Sequence, residues 1–152
     1  MTRKLPVWRS ALYVPANVPR FIDGAHRRGA DAIIVDLEDS VPIAERPAAR
    51  RDLMATAENV ARGGADVIVR INRPWRQAML DLEAAISPRV TALAVTKVDS
   101  ADHIRLVSEV VGELEAERGM TVGSTKFTAM IETADAWFHM PEIGRASCRE
   151  RV

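Results

Sequence analysis

The stretch AIIVDLEDSV, residues 32–41, decides the fold. It begins with an apolar run of mostly β-branched residues, and such a run predicts a strand buried on both faces, as in a parallel sheet. Three carboxylates follow this run, at Asp36, Glu38 and Asp39. The stretch therefore predicts a buried parallel strand that ends in acid.

The acids that end this strand have two interpretations. In parallel α/β folds, ligands bind at the carboxyl ends of the strands, so the acids indicate a functional site with catalytic carboxylates. The alternative is that they only cap the next helix, whose first backbone N–H groups need acceptors. The stretch alone leaves both open, and the rest of the chain favours a site.

Strands and helices alternate along the rest of the chain. Five strands are predicted, within residues 9–14, 32–41, 66–72, 91–98 and 127–133. Four helices are predicted between them, the first ending near residue 28 and the others spanning 44–62, about 79–86 and about 100–119. This regular alternation requires parallel pairing with right-handed crossovers, so the predicted fold class is α/β.

Two α/β architectures fit this pattern, an open doubly wound sheet and a (β/α)₈ barrel. Polar residues recur at the ends of the predicted strands, with Asp36 and Glu38 followed by Arg70, Lys97 and Glu132. A barrel brings every strand end to one mouth, whereas an open sheet concentrates its site at one switch point. We therefore favour a partial TIM barrel with about five of its eight βα units, since a complete one has about 250 residues.

The composition of the chain limits which binding partners it is expected to have. The chain has 152 residues with 47% apolar content, which suits one domain, and 21 basic residues balance 21 acidic ones. Without a net charge, neither nucleic acid nor an anionic membrane is an expected partner. The sequence has no apolar run long enough for a membrane span and no signal-peptide pattern, so a cytoplasmic location is expected.

Three strand-end residues have side chains suited to an anionic substrate. Glu132 is a hard oxygen ligand suited to Mg²⁺, which binds one or two carboxylates and keeps other positions for water and substrate. Arg70 carries the planar fork that binds a carboxylate or phosphate, although an internal ion pair with an acid of the second strand is a compatible alternative. Lys97 could neutralise an anion or only pair with an acid.

Residues 143–152, IGRASCRERV, break the pattern. They have no apolar period and match, codon for codon, one reading frame of a common short-read sequencing adapter. We interpret them as a non-native tail and residues 1–142 as the amino-terminal part of a barrel domain. A basic tail that does not pack is the alternative, and the parent nucleotide read at this junction distinguishes the two.

Several motifs together resemble one known family. They are RSALYVPANVPRFIDGAHRRGADAIIVDLEDSV, then VIVRIN, then the pair Lys97–Val98, and finally MIETA. In this order they resemble the citrate lyase β-subunit family within the HpcH/HpaI aldolase superfamily, over residues 8–136. The family often has proline where this chain has Thr96.

The resemblance implies a (β/α)₈ barrel, assembled as a trimer or hexamer, that cleaves 3-hydroxyacyl thioesters such as citryl-CoA or malyl-CoA. It implies that Arg70 binds the substrate carboxylate and that Glu132 binds Mg²⁺ and contacts substrate. It also implies that Asp36, Glu38 and Asp39 line the mouth. A second metal carboxylate of the family has no counterpart in this chain.

Two other functions stay open. One is an aldolase acting on a free 4-hydroxy-2-oxo acid, which needs no CoA pocket, so that Arg9 beside the first strand would not meet a phosphate. The other is a non-catalytic fragment, because a five-stranded sheet leaves unpaired edges and an uncovered interior face.

Overall fold

A computed structural model describes residues 6–146 of the chain. Five parallel strands form one sheet in the order β1-β2-β3-β4-β5. The strands are β1 Ala11–Pro15, β2 Ala32–Asp36, β3 Asp66–Ile71, β4 Ala92–Val95 and β5 Lys126–Ala129. The predicted α/β class and parallel pairing are confirmed.

Strand β2 lies inside the sheet, as its sequence predicts. All five of its residues are buried, and it pairs with β1 on one side and β3 on the other. Burying one Val or Ile side chain contributes about 1.5–3 kcal/mol, and β2 buries three such side chains, Ile33, Ile34 and Val35. The register places Asp36 opposite Arg70, at the carboxyl ends of β2 and β3.

Seven α-helices connect or follow the strands in the described part of the chain. They are α1 Pro19–Ala25, α2 Arg46–Arg51, α3 Leu53–Val60, α4 Trp75–Ala85, α5 Ala101–Glu117, α6 Ala134–Phe138 and α7 Met140–Arg145. None of the helices within residues 6–146 combines the length and apolarity that crossing a bilayer requires. Ser100 caps α5 as predicted, because its side chain accepts the backbone N–H of His103.

The helix predicted over 44–62 is two helices. The chain turns at Asp52, where φ is −93° and ψ is 2°, and α3 begins at the next residue. The Asp52 side chain makes no capping hydrogen bond at this turn, and its carboxylate pairs with Arg51. The apolar face of α3 is still the predicted one, with Leu53, Ala57 and Val60 buried.

Strands β4 and β5 are shorter than predicted, and both end before the polar residue assigned to them. Lys97 has a left-handed backbone, with φ at 47°, which a strand cannot contain. Glu132 lies three residues beyond the end of β5, just before Thr133 caps α6. Both residues therefore lie in loops at the carboxyl ends of the strands.

Most of the core lies between the sheet and its helices. A smaller apolar cluster lies apart from it, formed by Ala32, Ile34, Ile68, Ala92 and Ala94, with Trp8 and Met130 packed against it. Each successive strand is added at the same edge of the sheet, whereas the common doubly wound orders reverse at a switch point.

Ile143, the first residue of the stretch 143–152, packs against the fold, contrary to the alternative of a basic tail that does not pack. Ile143 is buried in α7, and α7 packs against α5. An isoleucine on the inner face of a short helix buries apolar area whatever its origin. The rest of the tail assignment stays a prediction, and residues 147–152, with Cys148, lie outside the described residues.

Candidate functional site

Asp36, the last residue of β2, is buried against Arg70. Nε of Arg70 donates to Oδ1 of Asp36 at 2.7 Å, and Nη2 donates to Oδ2 at 2.6 Å. Two parallel charge-assisted bonds form a fork-to-fork pair, which fixes the plane of the guanidinium as well as its position. The internal ion pair considered for Arg70 is therefore present.

Asp36 also organises the loop that follows it. Its carboxylate accepts the backbone N–H of Glu38 at 2.9 Å and that of Ser40 at 3.2 Å, and it accepts the Ser40 hydroxyl. The short 3₁₀ turn after this loop has Pro42 as its N-cap, and α2 has Glu45, both without a side-chain cap. The helix-capping alternative is therefore wrong, since Asp36 holds its own loop.

The contacts of Asp36 and Arg70 keep both groups charged. Burial raises the pKa of Asp36, but hydrogen bonds from Arg70, Ser40 and the Glu38 N–H lower it more, so the net shift is downward. The hydrogen bond to Asp36 raises the pKa of Arg70. The guanidinium carbon of Arg70 lies 5.0 Å from the centroid of the Tyr13 ring, which adds a cation–π contact.

Glu38 lies between the two cations of the site. Its Oε2 is 3.2 Å from Nη1 of Arg70, and its Oε1 accepts a hydrogen bond from Nζ of Lys97. Oε2 is buried and, among the described residues, has no hydrogen bond of good geometry. Asp39 is more exposed and lies 3.5 Å from Nζ of Lys97. The bond to Glu38 raises the pKa of the Lys97 ammonium.

Lys97 also contacts Glu132, through its backbone. The Lys97 N–H donates to Oε2 of Glu132 at 2.6 Å. The structure thus brings together six of the predicted site residues in one cluster, at the carboxyl ends of β2 to β5: Asp36, Glu38, Asp39, Arg70, Lys97 and Glu132.

Arg9 is the exception. It lies two residues before β1, at the amino ends of the strands, where its guanidinium pairs with Asp31 at 2.9 Å and is largely exposed. Hydrogen bonds from Arg9, together with Ser10, lower the pKa of Asp31 to about 2. The structure does not bring Arg9 together with the other six residues, which lie at the opposite ends of the strands, and the role of Arg9 in substrate binding stays a prediction.

The sequence interpretation missed Asp81 and Arg50, which hold the end of β3 in place through Asn72. Asn72 donates its backbone N–H and its side-chain Nδ2 to Asp81, and Nδ2 also donates to the carbonyl of Leu37. Arg50 donates to the other oxygen of Asp81 at 2.6 Å. The available signal was Asp81 itself, an acid on the buried face of α4 beside Ala78, Leu82 and Ala85.

The donors of the cluster suit Mg²⁺, though the described residues form no group of three His, Cys, Asp or Glu side chains poised around a metal. Mg²⁺ needs only one or two carboxylates and retains waters. Four carboxylates face two cations here, which leaves net negative charge. Glu132 uses one oxygen for the Lys97 N–H, and within residues 6–146 the other has no hydrogen-bond partner.

This fold and site define a class, an α/β protein whose charged cluster lies at the carboxyl ends of parallel strands. The family model for HpcH/HpaI aldolase/citrate lyase matches residues 9–151. The chain belongs to this family, which is a lyase family, and the resemblance found in its motifs is confirmed.

Relatives and solved structures agree with this assignment. Citrate lyase subunit beta of Leuconostoc mesenteroides subsp. cremoris is 32% identical over 144 residues, which is 93% of this chain and 47% of the relative. A (3S)-malyl-CoA thioesterase of Cereibacter sphaeroides strain KD131 is 34% identical over 146 residues, with 94% and 47% covered. The chain thus spans about half the length of the curated relatives it matches.

Among the similar solved structures are complexes with magnesium and small molecules. One of them is the protein CitE from Mycobacterium tuberculosis in complex with magnesium, acetoacetate and coenzyme A. Its TM-score is 0.68 and its identity 29%, over 94% of this chain and 47% of that one.

Proposed function

We propose that the protein is a Mg²⁺-dependent carbon–carbon lyase that cleaves a 3-hydroxyacyl-CoA of the citryl-CoA or malyl-CoA type to acetyl-CoA and an oxo acid. The observation that carries the proposal is Arg70, held by Asp36 and Glu38 beside the Lys97–Glu132 pair. The names of the relatives support a CoA ester as the substrate class.

The five strands are proposed to form part of a (β/α)₈ barrel, about five of its eight units. The strand order supports this, as does the apolar face around Ile34 and Ile68, which Trp8 and Met130 cover. The whole protein is proposed to be cytoplasmic and to assemble as a trimer or hexamer, and the 152-residue chain alone is proposed to be inactive.

Arg70 is proposed to bind the substrate carboxylate. A guanidinium has five N–H donors, and three nitrogen-to-oxygen contacts to Asp36 and Glu38 leave donors on Nη1 and Nη2 for a further anion. Because its plane is already fixed, binding the substrate costs little side-chain entropy. Lys97, with its ammonium partly exposed, adds positive charge for the same anion.

Glu132 is proposed to hold Mg²⁺ through the carboxylate oxygen that does not bind Lys97. When bound, Mg²⁺ supplies a Lewis acid and a template for the carboxylate and hydroxyl oxygens of the substrate. In the cleavage the hydroxyl proton leaves, the carbon–carbon bond breaks, and an oxo acid and the enolate of acetyl-CoA result. Glu38 is proposed to accept that proton through Oε2, which is ion-paired with Nη1 of Arg70 at 3.2 Å and has no hydrogen bond of good geometry among the described residues.

The test is Mg²⁺-dependent cleavage of malyl-CoA and citryl-CoA. The gene product, expressed to its natural stop codon, is compared with the 152-residue chain. Glu132→Ala should reduce kcat/KM about 10–100-fold, as loss of support at a metal site does. Asp135→Asn, an exposed carboxylate three residues further on, is the matched control and should retain activity. A gene product that cleaves neither thioester overturns the proposal.

The alternative is an aldolase acting on a free 4-hydroxy-2-oxo acid. The position of Arg9 favours it, because this guanidinium pairs with Asp31 away from the cluster and does not offer the site a phosphate contact. Cleavage of a free hydroxy-oxo acid, with no activity on either thioester, would establish this alternative.

A further inference from the structure

Lys97 has a backbone conformation that its side chain disfavours. Its φ of 47° is the only positive value for a residue other than glycine within residues 6–146. The left-handed region brings Cβ close to the following carbonyl oxygen, so single residues adopt it where surrounding contacts hold them there. The contacts around Lys97 therefore explain the conformation.

Three donor groups hold Lys97 in this conformation: its own N–H, its ammonium and the N–H of the next residue. Its N–H donates to Oε2 of Glu132 at 2.6 Å, and its ammonium binds Glu38 and Asp39 on the other side. The next residue, Val98, donates its N–H to the carbonyl of Met130 at 3.2 Å. The segment after β4 is thus joined to the segment after β5 by two backbone donors, and to the loop after β2 by one ammonium.

We propose that Lys97 is a positioning residue, whose left-handed backbone orients Glu132 for a divalent cation while its ammonium fixes the backbone by binding the acids after β2. The inference rests on the proposed function for the identity of the cation. It assigns to the side chain the task of holding its own backbone, in addition to any contact with substrate.

The hydrogen bond from the Lys97 N–H can orient the carboxylate of Glu132 for a cation. An N–H bonded to one carboxylate oxygen restricts the rotation of Glu132, whose side chain lies in an exposed loop. The remaining oxygen is then presented in one direction, as a cation with strict octahedral geometry requires. Without the Lys97 ammonium, a residue with a Cβ would leave the left-handed region, and its N–H would leave Glu132.

The first experiment measures the contact without using activity. In the gene product expressed to its natural stop codon, NMR-detected hydrogen exchange of the Lys97 amide is compared between wild type and Glu132→Ala. The Lys97 amide should exchange at least about tenfold faster in the variant, because its acceptor is gone. The Val98 amide, bonded to Met130, is the internal control and should change less than about twofold. An unchanged Lys97 amide overturns the proposal.

The second experiment separates backbone from side chain. Lys97→Gly and Lys97→Ala both remove the ammonium, so their comparison cancels the change in charge. Only glycine adopts a positive φ without cost, and Lys97→Ala should therefore bind Mn²⁺, measured by EPR, at least about fivefold more weakly than Lys97→Gly. At Lys126, the first residue of β5 with an ordinary φ, the same two substitutions should bind Mn²⁺ equally.

Equal Mn²⁺ affinity in Lys97→Gly and Lys97→Ala overturns the backbone role. Failure of the proposed function gives a different result: the wild-type protein would then bind no Mn²⁺ or cleave no thioester, while the Lys97 amide would still respond to Glu132→Ala. A protein that binds no Mn²⁺ overturns the cation part of the inference. A protein that binds Mn²⁺ with the predicted order of affinities but cleaves neither thioester supports the inference and overturns the lyase.

Discussion

The guanidinium of Arg70 and the carboxylate of Asp36 form two parallel hydrogen bonds, at 2.7 and 2.6 Å, between the ends of adjacent strands. The Arg70 side chain is 13% exposed and that of Asp36 2%. Burial makes the pair sensitive to loss of one partner, since the remaining charge is then uncompensated in a poorly solvated place. This pair fixes the plane in which a further anion can bind.

Replacing Arg70 should therefore destabilise the fold. Arg70→Met leaves the buried Asp36 carboxylate without its cation, and the free energy of unfolding should fall by about 3–5 kcal/mol. Arg73→Met is the matched control, because Arg73 pairs with Asp99 where both side chains are more exposed, and it should cost less than about 1 kcal/mol. Urea unfolding followed by circular dichroism measures both, and equal losses would contradict the burial argument.

The same pair predicts how stability depends on pH. The folded state lowers the pKa of Asp36, so below its unfolded value of about 3.9 the unfolded chain binds more protons. The stabilisation is therefore complete above pH about 4 and is lost as the pH falls through the folded pKa. In urea unfolding, the stability difference between wild type and Asp36→Asn should shrink between about pH 4 and pH 2.

The titration of Asp31 does not disturb this comparison of wild type with Asp36→Asn. Its pKa, lowered to about 2 by Arg9 and Ser10, makes it titrate in the same range, but it does so in both proteins and cancels in the difference. A difference between wild type and Asp36→Asn that stays constant from pH 7 to pH 2 would refute the assigned shift.

Much of this fold follows from local pattern. The apolar β-branched run at 33–35 predicts a buried strand, and the structure buries every residue of β2. Periodicity predicts α5 and its Ser100 cap, because helix faces and caps depend on residues close in sequence. The helices α6 and α7 were missed, since five or six residues carry too little periodicity to be recognised.

The sequence predicted which residues form the cluster, but not which hydrogen bonds and ion pairs join them. Strand-end positions placed Asp36, Arg70 and Glu132 at one edge, because parallel strands share a direction. The left-handed backbone of Lys97 depends on contacts with residues 35 to 59 positions away in sequence, which no local pattern encodes. Arg9 lies apart from this edge, because it precedes β1 and so lies at the amino ends of the strands.

Gly63 and Gly24, which lie outside the charged cluster, differ in the space available for a side chain, and this difference predicts opposite effects on stability. A Cβ added at Gly63 would lie 2.2 Å from the backbone oxygen of His26, so Gly63→Ala should destabilise by about 1–3 kcal/mol. Gly24, inside α1, has open space around its Cβ position and should gain about 0.5–1 kcal/mol on replacement by alanine. Neither glycine has a positive φ, so space alone separates them. Thermal unfolding should move Tm in opposite directions, and a shared direction would contradict the close approach of His26 to Gly63.

Asp81 should contribute strongly to stability, because it accepts hydrogen bonds from Asn72, whose side chain also donates to Leu37 in the loop after β2. It is fully buried and accepts bonds from Arg50 and from two donors of Asn72. In Asp81→Asn, an NH₂ group or a neutral oxygen faces those donors, and the free energy of unfolding should fall by about 3–5 kcal/mol. Asp52→Asn is the control, since the Arg51–Asp52 pair is exposed and its loss should stay within about 0.5 kcal/mol. Urea unfolding of the two variants measures the contrast, and a loss at Asp81 no larger than at Asp52 would show that this network does not hold the loop.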